Sequence, residues 1–321
     1  MKRTCWAVAT LLVLASCTSK SSSTDLSTIG RGIDVETMSP PEAARVVAEF
    51  QGKYGAGPAP PPDITVTSMA QVLEIIRADR LPDFEEARRF AAGRQGAAAL
   101  AVRSYLETSE ADAHLLAASI LEEERLRDLT ELRQASTRRP LESSDEAADA
   151  ARDKALKEKI EDLRKAVRAL KVLSEQPLVA GNDLAKQAIR QDPKSQVAYL
   201  ANANYYRLRG SWLEFDRMMR YAEDVETGDD PPVKIYLRAI EALERYNDNE
   251  KAKELLQETV AKRPDFVRAQ AHLVLVDRDV EEQYAQLEKL RALNPDHLVA
   301  RVVGPLIEEE YVSAQQLRQA R

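Results

Sequence analysis

The sequence predicts an all-α protein. Ala, Glu, Arg and Leu dominate, and the 321 residues include only 11 glycines, a balance that favours helices over sheets. Apolar residues recur at spacings of three and four along most of the chain, which is the period of a helix with one buried face. Residues 64–67 have a β-like composition, but they are too short and too isolated to build a sheet.

The N-terminus has the layout of a secretory signal peptide. Lys2 and Arg3 are positive, residues 5–14 are apolar except for Thr10, and small residues follow. The apolar stretch is shorter than the about 20 residues that a membrane-spanning helix needs. We therefore expect this segment to direct secretion and to be removed.

A cysteine stands at the expected cleavage edge. Residues 14–17 read Leu-Ala-Ser-Cys, and this motif resembles the lipobox of bacterial lipoproteins. The resemblance implies a lipoprotein signal peptide at residues 1–16 and a diacylglycerol on Cys17, the new N-terminal residue. An ordinary secretory signal with an unrelated cysteine is the alternative. Thr18 follows Cys17 where inner-membrane retention usually uses Asp, so we expect a lipid-anchored, periplasm-facing protein of the bacterial cell envelope, with the outer membrane favoured.

Composition excludes some classes of partner. Loss of Lys2 and Arg3 with the signal peptide takes the net charge from −7 to −9, and an acidic surface repels phosphate backbones. We therefore expect no nucleic acid among the partners. Cys5 also leaves with the signal and Cys17 is lipidated, so the mature chain has no disulfide and must be stabilised by packing.

The N-terminal half is predicted to consist of helices that follow a tether and are interrupted by a Pro-rich linker and by a joint. Capping side chains predict helices that begin at Ser39, at Ser68, at Asp83 (running to Thr108) and at Ser109 (running to about Ala135). The predicted segments are a flexible Ser/Thr-rich tether (17–38), a helix plus Pro-rich linker (39–63), an N-terminal helical region (64–135), and a joint with the start of a long helix (136–161).

A long helix is predicted over residues 145–175. An apolar stripe at spacings of four and three indicates a seam that packs against neighbouring helices. A coiled coil remains the alternative, although fewer heptads are present than such an assignment needs. The stripe consists of Leu156, Ile160, Leu163, Val167 and Leu170.

The second half of the chain repeats. Two consecutive units share an aromatic residue, small residues at close helix crossings and large apolar residues between them. The first unit has Tyr199, Asn202, Ala203, Tyr206, Gly210, Trp212, Met219 and Ala222, and the second has Tyr236, Ala239, Ile240, Leu243, Ala252, Leu256 and Pro264. This pattern resembles the tetratricopeptide repeat, a pair of helices in about 34 residues.

Weaker matches extend the repeat in both directions. Upstream Ala169, Gly181, Ala185 and Pro193, and downstream Leu287 and Pro295, fit the same spacing, which gives about four units over residues 162–297. The resemblance implies an α-solenoid of helix-turn-helix (TPR-like) repeats with an additional N-terminal helical region. Residues 298–321 are the expected C-terminal capping helix. Phe215 stands where the family has a small residue, and we expect its ring to separate the two helices of its unit or to change their crossing angle.

Tetratricopeptide domains bind peptides or helices in a concave groove lined by their first helices. Most of the corresponding residues here are cationic, which indicates an acidic or carboxylate-bearing ligand. The alternative is that they are solvated charges on an exposed helix face. Some tetratricopeptide proteins bind carboxylates with a set of residues called a clamp. In the present chain this clamp is incomplete, because Leu200 stands where a Lys is expected. The predicted groove residues are Asn204, Arg207, Lys234, Arg238, Glu241, Arg245, Arg268 and His272.

The sequence offers no case for an enzyme. His114, His272 and His297 are the only histidines, and H-E-x-x-H and paired cysteines are both missing. There is also no P-loop, dinucleotide fingerprint or G-x-S-x-G motif. We therefore expect no catalytic residues, no metal and no cofactor.

These features together predict a lipid-anchored scaffold that binds envelope proteins and assists assembly of an outer-membrane or secreted structure. Pilus-secretin pilotins and lipoproteins of the outer-membrane β-barrel assembly machinery combine the same parts. One alternative is a structural or adaptor subunit of a trans-envelope motility or secretion machine that uses its N-terminal helices as the interface. A cell-wall hydrolase is a remote further alternative.

Substitution of the lipobox cysteine tests the anchor. We expect Cys17→Ala to abolish incorporation of labelled palmitate in bacterial cells, because the acceptor thiol is lost. Cys5→Ala is the matched control and retains labelling, since Cys5 lies inside the removed segment. Labelling that persists in Cys17→Ala would contradict the lipoprotein assignment.

Overall fold

The computed structural model describes residues 38–54, 64–138, 146–225, 231–277 and 279–319. These residues form twelve α-helices and one short π-helical stretch, and they contain no strand, which confirms the predicted all-α class. Within this part of the chain, none of the helices has the length and apolar content that crossing a bilayer requires. The predicted signal peptide, Cys17, nearly all of the tether and the Pro-rich residues 55–63 lie outside the described residues.

Twelve α-helices follow one another along the described chain. They are α1 (Pro40–Tyr54), α2 (Met69–Ala78), α3 (Leu81–Ala92), α4 (Ala97–Arg138), α5 (Glu146–Gln191), α6 (Gln196–Leu208), α7 (Trp212–Asp224), α8 (Pro232–Glu244), α9 (Asn249–Lys262), α10 (Val267–Val276), α11 (Val280–Leu293) and α12 (Gly304–Gln319). The π-helical stretch, Val299–Val303, leads directly into α12.

The chain divides into two compact units, and each is built from separate stretches of sequence. Of the described residues, the first unit contains 64–110 and 178–319, and the second contains 38–54 and 111–177. The boundary between the units falls inside α4 and inside α5. Both long helices therefore contribute to both units.

The second unit packs α1 and parts of α4 and α5 together. The predicted stripe of α5 is its buried seam, since Leu163, Val167 and Leu170 are buried. Charged contacts surround the seam: Lys159 Nζ lies 2.6 Å from a Glu124 carboxylate oxygen, and Lys53 Nζ lies 2.6 Å from Asp162. These charged contacts join α5 to α4 and to α1 within the second unit.

The hairpin α2–α3 begins at the predicted capping residue. Ser68 Oγ accepts from the Gln71 backbone N–H at 3.2 Å, and Gln71 Oε1 accepts from the Ser68 N–H at 3.1 Å. This capping box satisfies N–H groups that the first turn leaves without partners. The apolar side chains of the hairpin pack against Val102, Tyr105 and Leu106 of α4. The fully buried or nearly buried members of this cluster include Val72, Ile76, Phe84 and Leu106.

The next helices differ from the predicted ones. The prediction of one helix from Asp83 to Thr108 is wrong, because the helix is interrupted between Gly93 and Gly96. Gly96 has the left-handed φ of +93° that favours glycine. The predicted start at Ser109 is also wrong, since α4 runs through this residue. Buried alanines and leucines continue on both sides of Ser109, and they outweigh its tendency to cap.

The close crossing of α4 and α5 in the first unit depends on a glycine. Ser104 Oγ donates to the Gly181 carbonyl at 2.7 Å. A Cβ on Gly181 would lie 2.7 Å from Thr108 Cγ2 and 3.2 Å from the Ser104 carbonyl oxygen. The sequence places Gly181 in a first repeat unit, but α5 is one continuous helix to Gln191, so residues 162–191 form no helical hairpin.

Three consecutive helical hairpins follow in the described chain: α6–α7, α8–α9 and α10–α11. One apolar cluster contains side chains of α6 to α10, and several of its members are small residues. Phe215 is fully buried in this cluster with its ring centroid 5.5 Å from that of Trp212, so the packing accommodates the ring. The fully buried alanines of the cluster are Ala203, Ala222, Ala239, Ala252 and Ala269.

The C-terminal helix packs on the last hairpin. Ile307 of α12 is buried, whereas Leu306, Val312 and Leu317 are exposed. Arg291 of α11 lies 2.5 Å from the Glu308 carboxylate. The helix therefore covers α11 with one face and presents a mixed outer face to solvent.

An added methyl group tests the α4–α5 crossing. We expect Gly181→Ala to lower the free energy of unfolding by about 1–3 kcal/mol, because the new Cβ cannot fit without moving Thr108. Gly52→Ala in α1 is the matched control, since nothing lies within 4 Å of its Cβ, and it should leave stability unchanged or raise it by up to about 1 kcal/mol. Chemical denaturation followed by circular dichroism measures both, and equal effects would contradict the tight crossing.

Candidate functional site: the groove face of α6, α8 and α10

The predicted groove residues lie on the first helices of the three hairpins, and we call their surface the groove face. Six of the eight residues are buried, Arg238 is half-buried, and Arg245 is partly exposed at the C-terminus of α8. Solvated charges on an open helix face are therefore excluded for those six. The groove face comprises Asn204 and Arg207 on α6, Lys234, Arg238, Glu241 and Arg245 on α8 and at its end, and Arg268 and His272 on α10.

Segments of α2 and α4 cover part of the groove face within the first unit. Asn204 Nδ2 lies 3.5 Å from the Thr108 carbonyl oxygen of α4. One Arg268 NH2 group donates to the Ser109 carbonyl at 3.0 Å. The helices of the chain itself thus occupy positions where the resemblance implies a bound peptide or helix.

The α6 portion of the groove face is tied to the next hairpin. Arg207 is 5% exposed; its Nε donates to Asn204 Oδ1 at 3.1 Å, and its NH1 lies 2.7 Å from Glu244. His272 on α10 packs against Tyr236 with ring centroids 5.8 Å apart. These contacts join the three helices side by side.

Two arginines at the edge of the groove face form a network with acidic side chains of α7 and α8, which we call the rim network. Glu241 is buried, and its two oxygens lie 2.8 Å from Arg238 and 2.9 Å from Arg245. Arg238 also pairs with Glu223 at 3.0 Å, and Arg245 pairs with Asp216 at 2.9 Å. Burial alone would lower the pKa of Arg238, but the two carboxylates outweigh it and raise that pKa.

Aromatic side chains border the rim network. The Arg245 guanidinium lies 5.9 Å from the Trp212 ring centroid and 4.9 Å from that of Tyr246. Tyr246 is 60% exposed. Tyr, Trp and Arg are the residue types that carry most of the energy of protein–protein interfaces, although Trp212 is itself half-buried here.

A buried carboxylate from α2 contacts the groove face at Arg268. Asp79 ends α2 with a φ of 50° and is 7% exposed. Its Oδ2 lies 3.3 Å from Arg268 Nε and 3.2 Å from His297 Nε2, and Arg268 NH2 contacts Oδ1. His297 Nδ1 accepts from the Val299 N–H at 3.2 Å, which places the ring proton on Nε2, where it is donated to Asp79.

Two partners determine the charge state of Asp79: the cationic Arg268 and the hydrogen-bond donor His297. Burial would raise the pKa of this carboxyl group, but the Arg268 guanidinium and the His297 hydrogen bond outweigh burial and hold the pKa well below its usual range. The ion pair therefore stabilises the folded chain above the pKa of an unfolded aspartate, about 3.9. That stabilisation is lost as the pH falls further.

A third side chain, that of Asn294, binds the backbone at the end of α2. Asn294 Nδ2 donates at 3.2 Å to the carbonyl of Ala78, the last residue of the helix. Carbonyls in the last turn lack intrahelical partners, so this hydrogen bond satisfies one of them. We call Arg268, Asn294 and His297 the helix-end site. Sequence reasoning identified Arg268 alone, because Asp79 and Arg268 are 189 positions apart and leave no local signal of the contact.

Among the described residues, no three His, Cys, Asp or Glu side chains are grouped so that they could hold a metal ion. The chemistry that the site offers is recognition of carboxylates and of helix ends by charged and amide hydrogen-bond donors. No protein-family model, no curated protein and no solved structure matches the chain. The role of the groove residues in binding a partner stays a prediction.

Removal of the buried anion tests the Asp79–Arg268 pair. We expect Asp79→Asn to lower the free energy of unfolding by about 3–5 kcal/mol at pH 7, because it leaves a buried guanidinium without its anion. The double variant Asp79→Asn with Arg268→Met should lose less than the sum of the single variants, since no buried charge remains.

Chemical denaturation at several pH values measures these differences. The gap between the parent chain and Asp79→Asn should narrow below about pH 4, where the unfolded carboxyl takes up its proton. Additive losses in the double variant would show that the two residues do not act as a pair.

Proposed function

We propose that the chain is a lipid-anchored scaffold of the bacterial cell envelope that binds partner proteins and assists assembly of an outer-membrane or secreted structure. In this proposal the three hairpins are tetratricopeptide-like repeats of an α-solenoid. Their packing on one apolar cluster supports it, because fully buried alanines stand where the repeat pattern has small residues: Ala203, Ala222 and Ala252.

The accessible surface for a partner is the edge of the groove face at the rim network. Arg238 and Arg245 reach the surface there, beside Trp212 and Tyr246. A partner carboxylate can join this network by bonding to the arginines at their exposed sides. The expected ligand is therefore an acidic segment of an envelope protein, in agreement with the cationic groove that the resemblance implies.

The lipid on Cys17 gives the scaffold its place of action. A tethered scaffold searches the membrane surface, where its effective concentration for an embedded partner is high. The tether of residues 17–38 supplies the reach between the lipid and the first helix. The partner is accordingly a protein of the membrane face rather than of the bulk periplasm.

One observation favours a second candidate function. Segments of α2 and α4 already contact Asn204 and Arg268 of the groove face. If these contacts are permanent, the groove face serves as core and the N-terminal helices offer the interface. The chain is then a structural or adaptor subunit of a trans-envelope motility or secretion machine.

Photocrosslinking in cells distinguishes the two functions. A photoreactive amino acid at Tyr246, which is exposed beside the rim network, should capture an envelope protein if the scaffold binds through this edge. A second probe at the exposed Arg45 of α1 tests the adaptor function. Capture from Arg45 alone would favour the adaptor and would contradict the scaffold proposal.

Charge reversal of the rim tests the same surface. We expect Arg238→Glu with Arg245→Glu to reduce capture from Tyr246 at least about tenfold, which corresponds to about 1.4 kcal/mol. Arg217→Glu with Arg220→Glu is the matched control, since it makes the same charge change at exposed positions of α7 and should leave capture unchanged. Circular dichroism verifies that both variants fold, and equal capture by both would argue against the rim.

A further inference from the structure

The helix-end site has the features of a recognition site that is ordered before its ligand arrives. Each of its side chains is held by a contact that does not involve α2. Arg268 donates to the Ser109 carbonyl at 3.0 Å, and His297 Nδ1 accepts from the Val299 N–H at 3.2 Å. Asn294 Oδ1 accepts from the Asp296 N–H at 3.2 Å. The three donors therefore keep their orientation independently of Asp79, and such pre-organisation favours binding.

The three side chains together recognise two adjacent groups. Asn294 binds the carbonyl of the last helical residue, Ala78, and Arg268 with His297 binds the carboxylate of the next residue, Asp79. This pair of acceptors occurs wherever an aspartate follows the last turn of a helix. The chemistry that fits the site is thus an acidic helix end, and α2 is one example of it.

The contacts of α2 at this site are of a kind that a partner can replace. They are ionic and hydrogen-bonded, and they include an Arg77–Asp265 pair at 3.5 Å. The apolar side chains of the hairpin instead pack in a cluster formed by residues 64–106, while the cluster of the repeat hairpins is formed by residues 199–276. The carboxylate and the carbonyl at the end of a partner's helix can form the same polar contacts in place of those of α2.

The backbone of Asp79 also favours exchange. Its φ of 50° lies in the left-handed region, which residues other than glycine rarely adopt. Departure of the helix end releases this conformation.

We propose that the helix-end site is a partner-binding site for acidic helix ends, and that α2 occupies it in cis until a partner helix exchanges for it. The inference rests on the proposed scaffold function, because it supplies the partner class and the regulation of the groove face. The partner is a protein helix followed by an aspartate, and the occupancy by α2 keeps the site closed in its absence.

Hydrogen–deuterium exchange of the full chain tests the occupancy by α2. In Asp79→Asn we expect the exchange of amides in residues 69–92 to be accelerated at least tenfold more than that of amides in residues 235–243 and 269–276, which lose protection only through the lower global stability of the variant. Asp83→Asn is the matched control, since Asp83 is a buried aspartate of the same hairpin whose partner is Arg80, and it should leave α2 protected.

Asn294→Ala is a second variant that leaves no buried charge unpaired. It should accelerate exchange in α2 in the same local pattern but to a smaller extent. Equal acceleration in α2 and in the repeat hairpins, or no acceleration of α2 in either variant, would overturn the proposal, because α2 would then be an inseparable part of the core.

A peptide in trans tests the recognition chemistry. The probe is a fluorescein-labelled peptide of residues 68–82, and its matched control carries Asn in place of Asp79. By fluorescence anisotropy, we expect the probe to bind the Asp79→Asn chain at least tenfold more tightly than the parent chain, whose site is filled. The Asn-containing peptide should bind neither, and Arg268→Gln in the Asp79→Asn background should abolish binding of the probe.

Equal affinity of the probe for the parent and the Asp79→Asn chains, or equal binding of both peptides, would overturn the inference. Its failure is distinguishable from failure of the scaffold function. Peptide exchange without capture from Tyr246 in cells would contradict the scaffold function alone. Capture from Tyr246 without peptide exchange would contradict the helix-end site alone.

Discussion

A buried guanidinium needs an anion, and Arg268 obtains its anion from a residue 189 positions away. This requirement fixes where the end of α2 lies in the first unit. A buried cationic side chain of the groove face needs an acceptor for its charge. Asp79 is the acceptor for Arg268, Glu244 for Arg207, and Glu241 for the arginines of the rim network. Charge pairing therefore holds the end of α2 against the groove face and joins α6 to α8.

Close helix packing depends on small residues at a few crossings. Gly181 leaves room for the Thr108 side chain where α5 crosses α4, and the fully buried alanines play the same part among the hairpins. Large side chains such as Phe215 and Leu256 then fill the spaces between the hairpins. The crossing at Gly181 also positions Thr108 and Ser109, whose carbonyls face Asn204 and Arg268. Apolar packing and polar recognition thus meet on one turn of α4.

Local signals predicted the elements that depend on neighbouring residues. The capping box at Ser68 and the small and large residues of α6 to α9 have their partners within a few turns or within one helical hairpin. The continuity of α4 through Ser109 and of α5 through Pro177 was missed, because a capping residue or a proline competes with helix formers on both sides. Burial of Arg268 was missed because Asp79 and His297 carry no local mark of their distant contact.

Occupancy of the helix-end site by α2 sets a demand on any partner. A segment of the same chain competes at an effective concentration in the millimolar range, so a free partner with only the same contacts exchanges poorly. The apparent affinity equals the intrinsic affinity multiplied by the fraction of chains whose site is open. A successful partner must therefore bring further contacts, and Arg245 with Trp212 and Tyr246 offers them at the edge of the same groove face. Simultaneous use of both surfaces favours a partner that carries an acidic helix end and a second acidic segment, and it disfavours proteins that carry only one.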